Sequence, residues 1–91
     1  MIGDALEIRF KLLGIRPCGK CLDIKAELNS KSPEYVLKHS AGIAMAIDQN
    51  VCDIGWRGIV ARLIPGAIRR DWIERQLVIV ATRVRRDARA H

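Results

Sequence analysis

Apolar residues recur along this chain at spacings of three and four, which predicts one helix after another. In the first, Ala5, Ile8, Leu12 and Ile15 form a stripe that Leu6, Phe10 and Leu13 widen, so this helix is expected to be covered on more than one side. Asp4 with Glu7 three residues later reads as a capping box, in which both side chains take backbone N–H groups at the helix start. Gly14 stops the helix, and Pro17, with no N–H to donate, confirms the break. A second helix is expected from about Gly19 to Leu28, with Cys21, Ile24 and Leu28 on one face, Asp23, Lys25 and Glu27 toward water, and Asn29-Ser30 as its end.

Ser32-Pro33-Glu34 supplies an N-cap, a proline at a position that needs no donor, and an acid at the positive helix end. The third helix that follows places Val36, Ser40, Ile43 and Ile47 on one side, flanked by Leu37, Ala41 and Ala44, whose small members permit close packing. Residues 48–53 read as a polar turn apart from Val51 and Cys52. Asp53 then caps a fourth helix in which Trp56, Ile59, Val60, Leu63 and Ile64 share a face, ended by Pro65-Gly66. Gly55 and Gly58 weaken it, each by about 1 kcal/mol relative to Ala.

The last segment, Ala67 to about Arg89, would be ~30 Å or longer as one helix. Ile73, Leu77, Val80 and Val84 make its main stripe, while Ile68, Trp72 and Ile79 make a second on another side. Two stripes predict burial on one side and a partner on the other. The β-branched density from Leu77 to Val84 also suits a strand, but the length of the segment and the charge pattern around it favour helix. The expected fold is therefore all-α, a small bundle of about five helices with a long C-terminal helix, in a single domain over residues 1–91.

A chain of 91 residues has a small core, and with one Phe, one Tyr and two Trp it must build that core from aliphatic side chains. Such a chain gains from a metal, a covalent staple or a partner surface. The net charge of +6 is unevenly placed. Residues 1–56 are neutral, their seven acids matched by five Lys and two Arg; residues 57–91 carry nine Arg and no Lys against Asp71, Glu74 and Asp87. Residues 1–16 are interrupted by Asp4, Glu7, Arg9, Lys11 and Arg16, unlike a secretory signal, and no apolar run approaches the roughly 18 residues of a membrane span. The expected setting is intracellular or a virion, with no membrane partner. Three cysteines without a secretory route argue against a disulfide framework, since an odd count leaves one over.

The chemistry-bearing stretch is Pro17-Cys18-Gly19-Lys20-Cys21, because two thiols three residues apart can share a metal ion or a disulfide. Zinc needs two further ligands, and Cys52 with His39 would complete a Cys₃His site, His91 being a less ordered substitute. Against this stands the reading in which Cys21 and Cys52 are small core residues and His39 a surface residue. A redox dithiol is a third reading: a helix N-terminus and Lys20 both favour thiolate, although the preceding segment looks helical where a thioredoxin-like unit has a strand. No glycine-rich phosphate loop, G-x-S-x-G or paired catalytic carboxylates occur.

The second constellation is the arginine-rich end. Ile68, Arg69, Arg70, Trp72, Arg75, Ile79, Arg83 and Arg86 are the expected partner-binding residues, guanidinium groups suiting carboxylate or phosphate and the apolar members supplying buried area.

Residues 3–29, through Gly3, Asp4, Gly14, Ile15, Arg16, Pro17, Cys18, Cys21, Leu28 and Asn29, resemble a group of short proteins encoded in tailed phages and prophages, with a Gly-Asp start, a helix, Gly-Ile-(Lys/Arg)-Pro-Cys-x-x-Cys and a helix closing in Leu-Asn. The chain departs from that group at Leu22-Asp23-Ile24, where a basic stretch is usual. The resemblance implies a phage or mobile-element setting and no activity. Taken together, the expectation is a non-enzymatic accessory or assembly protein that binds a protein partner or a second copy of itself through the arginine-rich C-terminal helix. The alternatives are a zinc-braced nucleic-acid-binding protein and a C-x-x-C dithiol redox protein.

Overall fold

A computed structural model describes residues 2–53 and 65–90. Within them lie five helices, α1 (Ile2–Leu12), α2 (Gly19–Asn29), α3 (Pro33–Lys38), α4 (Ser40–Asn50) and α5 (Gly66–Ala90), and two three-residue strands, β1 (Ile15–Pro17) and β2 (Val51–Asp53). The fold is the all-α bundle expected, and Leu77 to Val84 is helical. The fourth helix expected around Trp56 to Ile64, with Arg57 and Arg62, lies outside the described residues, as does His91.

The core gathers Ile2, Leu6 and Phe10 of α1, Ile15 of β1, Cys21 and Leu28 of α2, Val36 of α3, Ala44 and Ile47 of α4, and Ile73, Leu77, Val80 and Ala81 of α5. Helix α5 packs against α4, α3 and α1, and the molecule is 46 Å in its longest dimension. The stripe foreseen on α5 is the one that packs: Ile73 and Leu77 are fully buried and Val84 packs against the same cluster.

On α1 the helical spacing points to the wrong stripe. Ile2, Leu6 and Phe10, one turn apart, are buried, whereas Ile8 and Leu12 are 60% and 82% exposed. Phe10 decides the orientation: its ring meets Trp72 of α5 at 5.9 Å between centroids, a tilted aromatic pair that a rotation of α1 would break. The expected capping box is not formed either. The helix begins at Ile2, and Asp4 and Glu7 instead reach Lys25 of α2, with Asp4 Oδ1 at 2.9 Å from its Nζ.

Gly14, at φ 75°, ends α1 in the left-handed region that an L side chain resists, and redirects the chain into β1. That strand pairs antiparallel with β2 in the register Ile15↔Asp53, Arg16↔Cys52 and Pro17↔Val51. Residues 48–53 are thus the end of α4 and a strand, not a polar turn. The expected third helix is two: Ser32 caps α3 as foreseen, its hydroxyl accepting from Tyr35 N–H, but the backbone turns at His39. His39 closes α3 by donating to the Tyr35 carbonyl and opens α4 by accepting from Ile43 N–H.

The helical ends α1 and α2 approach so closely that Gly3 has no room for a side chain. A Cβ there would stand 2.6 Å from Lys25 Cγ and 2.8 Å from the Lys25 carbonyl oxygen. Gly3 N–H donates to Asn29 Oδ1 at 2.9 Å, which satisfies one of the donors a helix start leaves without an internal acceptor.

Candidate partner-binding face

Helix α5 carries the candidate face. At 100° per residue, Ile68, Arg75, Ile79 and Arg86 fall within a narrow arc opposite Ile73, Leu77 and Ala81, with Trp72 and Arg83 at its margin. Ile68 is 60% exposed and Ile79 39%, while the residues opposite are sealed in the core. Trp72 is half-buried and spends its ring on Phe10, so it belongs to the packing between α1 and α5 more than to the open face.

The arginines divide into two groups. Those of the first turns are occupied: Arg69 Nε lies 2.9 Å and Arg70 Nε 3.7 Å from the two carboxylate oxygens of Asp48, which ends α4 and is nearly buried. Arg75 is held one turn away by Asp71, at 3.0 Å. Farther along, Arg85 reaches Glu34 of α3 at 3.5 Å. Arg83, Arg86 and Arg89 are exposed and form no ion pair among the described residues. Arg69 and Arg70 therefore tie α5 to α4, and Asp48 is the residue sequence reasoning missed. Nothing local marks it, since its partners stand more than twenty positions away. Ser40, buried at the start of α4, makes a similar tie by donating to Glu74 at 3.4 Å.

The thiols of the C-x-x-C go separate ways. Cys21 is a free, buried thiol that donates to the Ile47 carbonyl at 3.5 Å, and burial pushes its pKa up. It lines a cavity of about 20 Å³ between α1 and α2, with Leu6, Phe10 and Leu28. Cys18 occupies the N-cap position of α2 without a side-chain capping bond, and its sulfur is in a disulfide. The expectation against a disulfide, drawn from the odd cysteine count, is thus corrected by Cys18, and Cys21 is a free thiol absorbed by the core.

His39 stacks on Tyr35 at 4.4 Å between ring centroids and lines an open groove of about 400 Å³ between α2 and the α3–α4 turn. Cys21 and His39 do not face a common space, and no group of three or more His, Cys, Asp or Glu side chains converges among the described residues. No side-chain position is described for Cys52, the remaining member of the expected metal set.

Lys25 is the most elaborated charge on the neutral half. Hydrogen bonds from its ammonium to Glu7 and then Asp4 raise its pKa, and the hydrogen bond from Lys25 lowers that of Asp4. With Gly3 and Asn29 this ties the start of α1 to α2. The residues that carry the phage-protein resemblance are accordingly structural here: Gly3 and Asn29 bond each other, Asp4 holds Lys25, Gly14 turns the chain, and Ile15, Cys21 and Leu28 are buried.

No helix among the described residues is long and apolar enough to cross a membrane. Comparison with protein-family models, curated proteins and solved structures finds no match to this chain.

Proposed function

We propose that this chain is a non-enzymatic accessory or assembly protein that docks onto an acidic protein surface through the open face of α5, in the phage or virion setting the resemblance over residues 3–29 implies. The observation that carries the reading is the two-sidedness of α5: Ile68 and Ile79 stand exposed beside Arg75, Arg83 and Arg86 on the side turned away from the core. Isoleucine in water gains from burial, at about 25 cal/mol per Å² of apolar surface covered. Neighbouring arginines suit carboxylates at the rim of such a contact and set its orientation. The proposal assigns no bond-making step and no metal, because the thiols that would bind one are committed to the core and to a disulfide.

A photo-crosslinking residue placed at Ile79, in protein produced in the cell that encodes it, tests the reading. It should capture one discrete partner, and the capture should vanish in Arg83→Glu/Arg86→Glu. The same probe at Leu22, equally open to solvent on α2, should capture nothing in common with it. Equal labelling from both positions would end the proposal.

Arg83, Arg86 and Arg89, exposed and in no ion pair among the described residues, favour a second reading, binding of nucleic acid along the distal half of α5. Three phosphate contacts would make log affinity for duplex DNA fall with log salt at a slope of about −2.7, whereas an apolar protein contact weakens little with salt.

A further inference from the structure

We infer that Cys18 is bonded to Cys52, and that this disulfide is a redox-sensitive clasp on the β1–β2 ribbon. Cys18 is in a disulfide, Cys21 is a free thiol, and the chain holds one further cysteine. The strand register places the two residues near each other along the ribbon. Cys52 stands opposite Arg16 in the antiparallel register, and Cys18 follows Arg16 by two positions, directly after the last paired residue, Pro17. Cys18 N–H extends the pairing by donating to the Asn50 carbonyl at 3.2 Å, which holds the two chain ends together at the point where the bond is needed.

The ribbon itself is three residues per strand, too short to persist by its own hydrogen bonds. The clasp supplies what the pairing lacks. It closes a loop of about 35 residues that contains α2, α3 and α4, and so removes chain entropy from the unfolded state. Its position also makes the bond exchangeable. Cys18 caps α2, where the positive end of the helix favours a thiolate as attacking and as leaving group.

Formation is a two-electron oxidation. The Cys18 thiolate attacks a small disulfide such as oxidised glutathione, expelling one glutathione thiolate; the Cys52 thiolate then attacks the mixed disulfide at the Cys18 sulfur and expels the second. Two protein S–H bonds become one S–S bond, and the oxidant leaves as two thiols. Excess reduced thiol reverses both steps.

Trypsin cuts after Lys20 and so separates the two cysteines of the C-x-x-C. Full-length protein equilibrated with oxidised glutathione, blocked with iodoacetamide in denaturant and digested without reduction should yield residues 12–20 linked to residues 39–57, with residues 21–25 alkylated. Linkage of 12–20 to 21–25, a disulfide between two copies, or alkylation of all three cysteines would overturn the inference. Urea unfolding adds an independent reading. Dithiothreitol should raise the unfolding constant of the wild type and of Cys21→Ala by about several-hundred-fold, the value for a loop of this length. It should leave Cys18→Ser and Cys52→Ser unchanged, and a comparable response in those two variants would also refute the assignment.

Discussion

Replacing Ile73 by alanine and, separately, Ile68 by alanine tests the two-sidedness of α5 on which the functional reading depends. Ile73 is fully buried and Ile68 is 60% exposed, five positions apart on one helix. At Ile73 the change deletes three carbons from the core, a transfer loss of about 2.4 kcal/mol at ~0.8 kcal/mol per CH₂. The cavity left behind adds to this, since α3, α4 and α1 close on α5 from several directions and cannot all follow the smaller side chain. Alanine recovers a few tenths of a kcal/mol as the better helix former. The expected cost is about 3 kcal/mol, a large share of the roughly 5–14 kcal/mol that a chain of this length holds in total. At Ile68 the same substitution leaves most of its lost surface already in water, and the expected change is within about 0.5 kcal/mol of zero. Urea unfolding followed by circular dichroism at 222 nm measures both. Equal losses at the two positions would show that Ile68 is part of the packing, and the proposed docking face would go with it.

Gly3→Ala should destabilise the fold by about 1–3 kcal/mol in the same assay, because the new methyl group meets the Lys25 backbone as well as its side chain and α1 must back away. Lys25→Met should flatten the pH dependence of unfolding on both limbs. Asp4 has its folded pKa below the unfolded value, so its contribution is complete above the ordinary Asp range and lost as acid carries the pH through the lowered value. Lys25 has its folded pKa raised, so its contribution is present at neutrality and lost as alkali passes through that raised value. A wild type and Lys25→Met with superimposable pH profiles would contradict this. Asp48→Asn should cost about 1–3 kcal/mol by leaving Arg69 and Arg70 facing an amide, with a urea midpoint unchanged from wild type as the contrary result.

Much of the helix content was legible because it is written in short-range periodicity and punctuation. The Ile73–Leu77–Val80 stripe, the Gly14 stop and the Ser32-Pro33 start each depend on residues within one or two turns, and each stands where the sequence puts it. What escaped depends on partners far along the chain. Asp4 and Glu7 carry the signature of a capping box, yet a lysine eighteen positions beyond Glu7 claims them. The β1–β2 pairing is invisible locally, since three residues including a proline show no alternation to read. The bend at His39 has neither Gly nor Pro to announce it. Of the candidate face, Ile68, Ile79, Arg83 and Arg86 lie where periodicity placed them. Arg69 and Arg70 join that face as arginines and not by periodicity, and a helix wheel cannot reveal that Asp48 waits for them on a neighbouring helix.

The way Asp48 and Asp71 occupy the early arginines gives α5 a direction. Arg69, Arg70 and Arg75 are compensated at home, and beyond Val80 only Arg85 finds a carboxylate, on Glu34, while Arg83, Arg86 and Arg89 form no ion pair among the described residues. An approaching surface therefore meets a rod that is electrically quiet at one end and attractive at the other, and it has a single favourable heading along the axis. Under the proposed docking, a contact made on such a rod would be lopsided, its electrostatic attraction gathered at the distal end of α5.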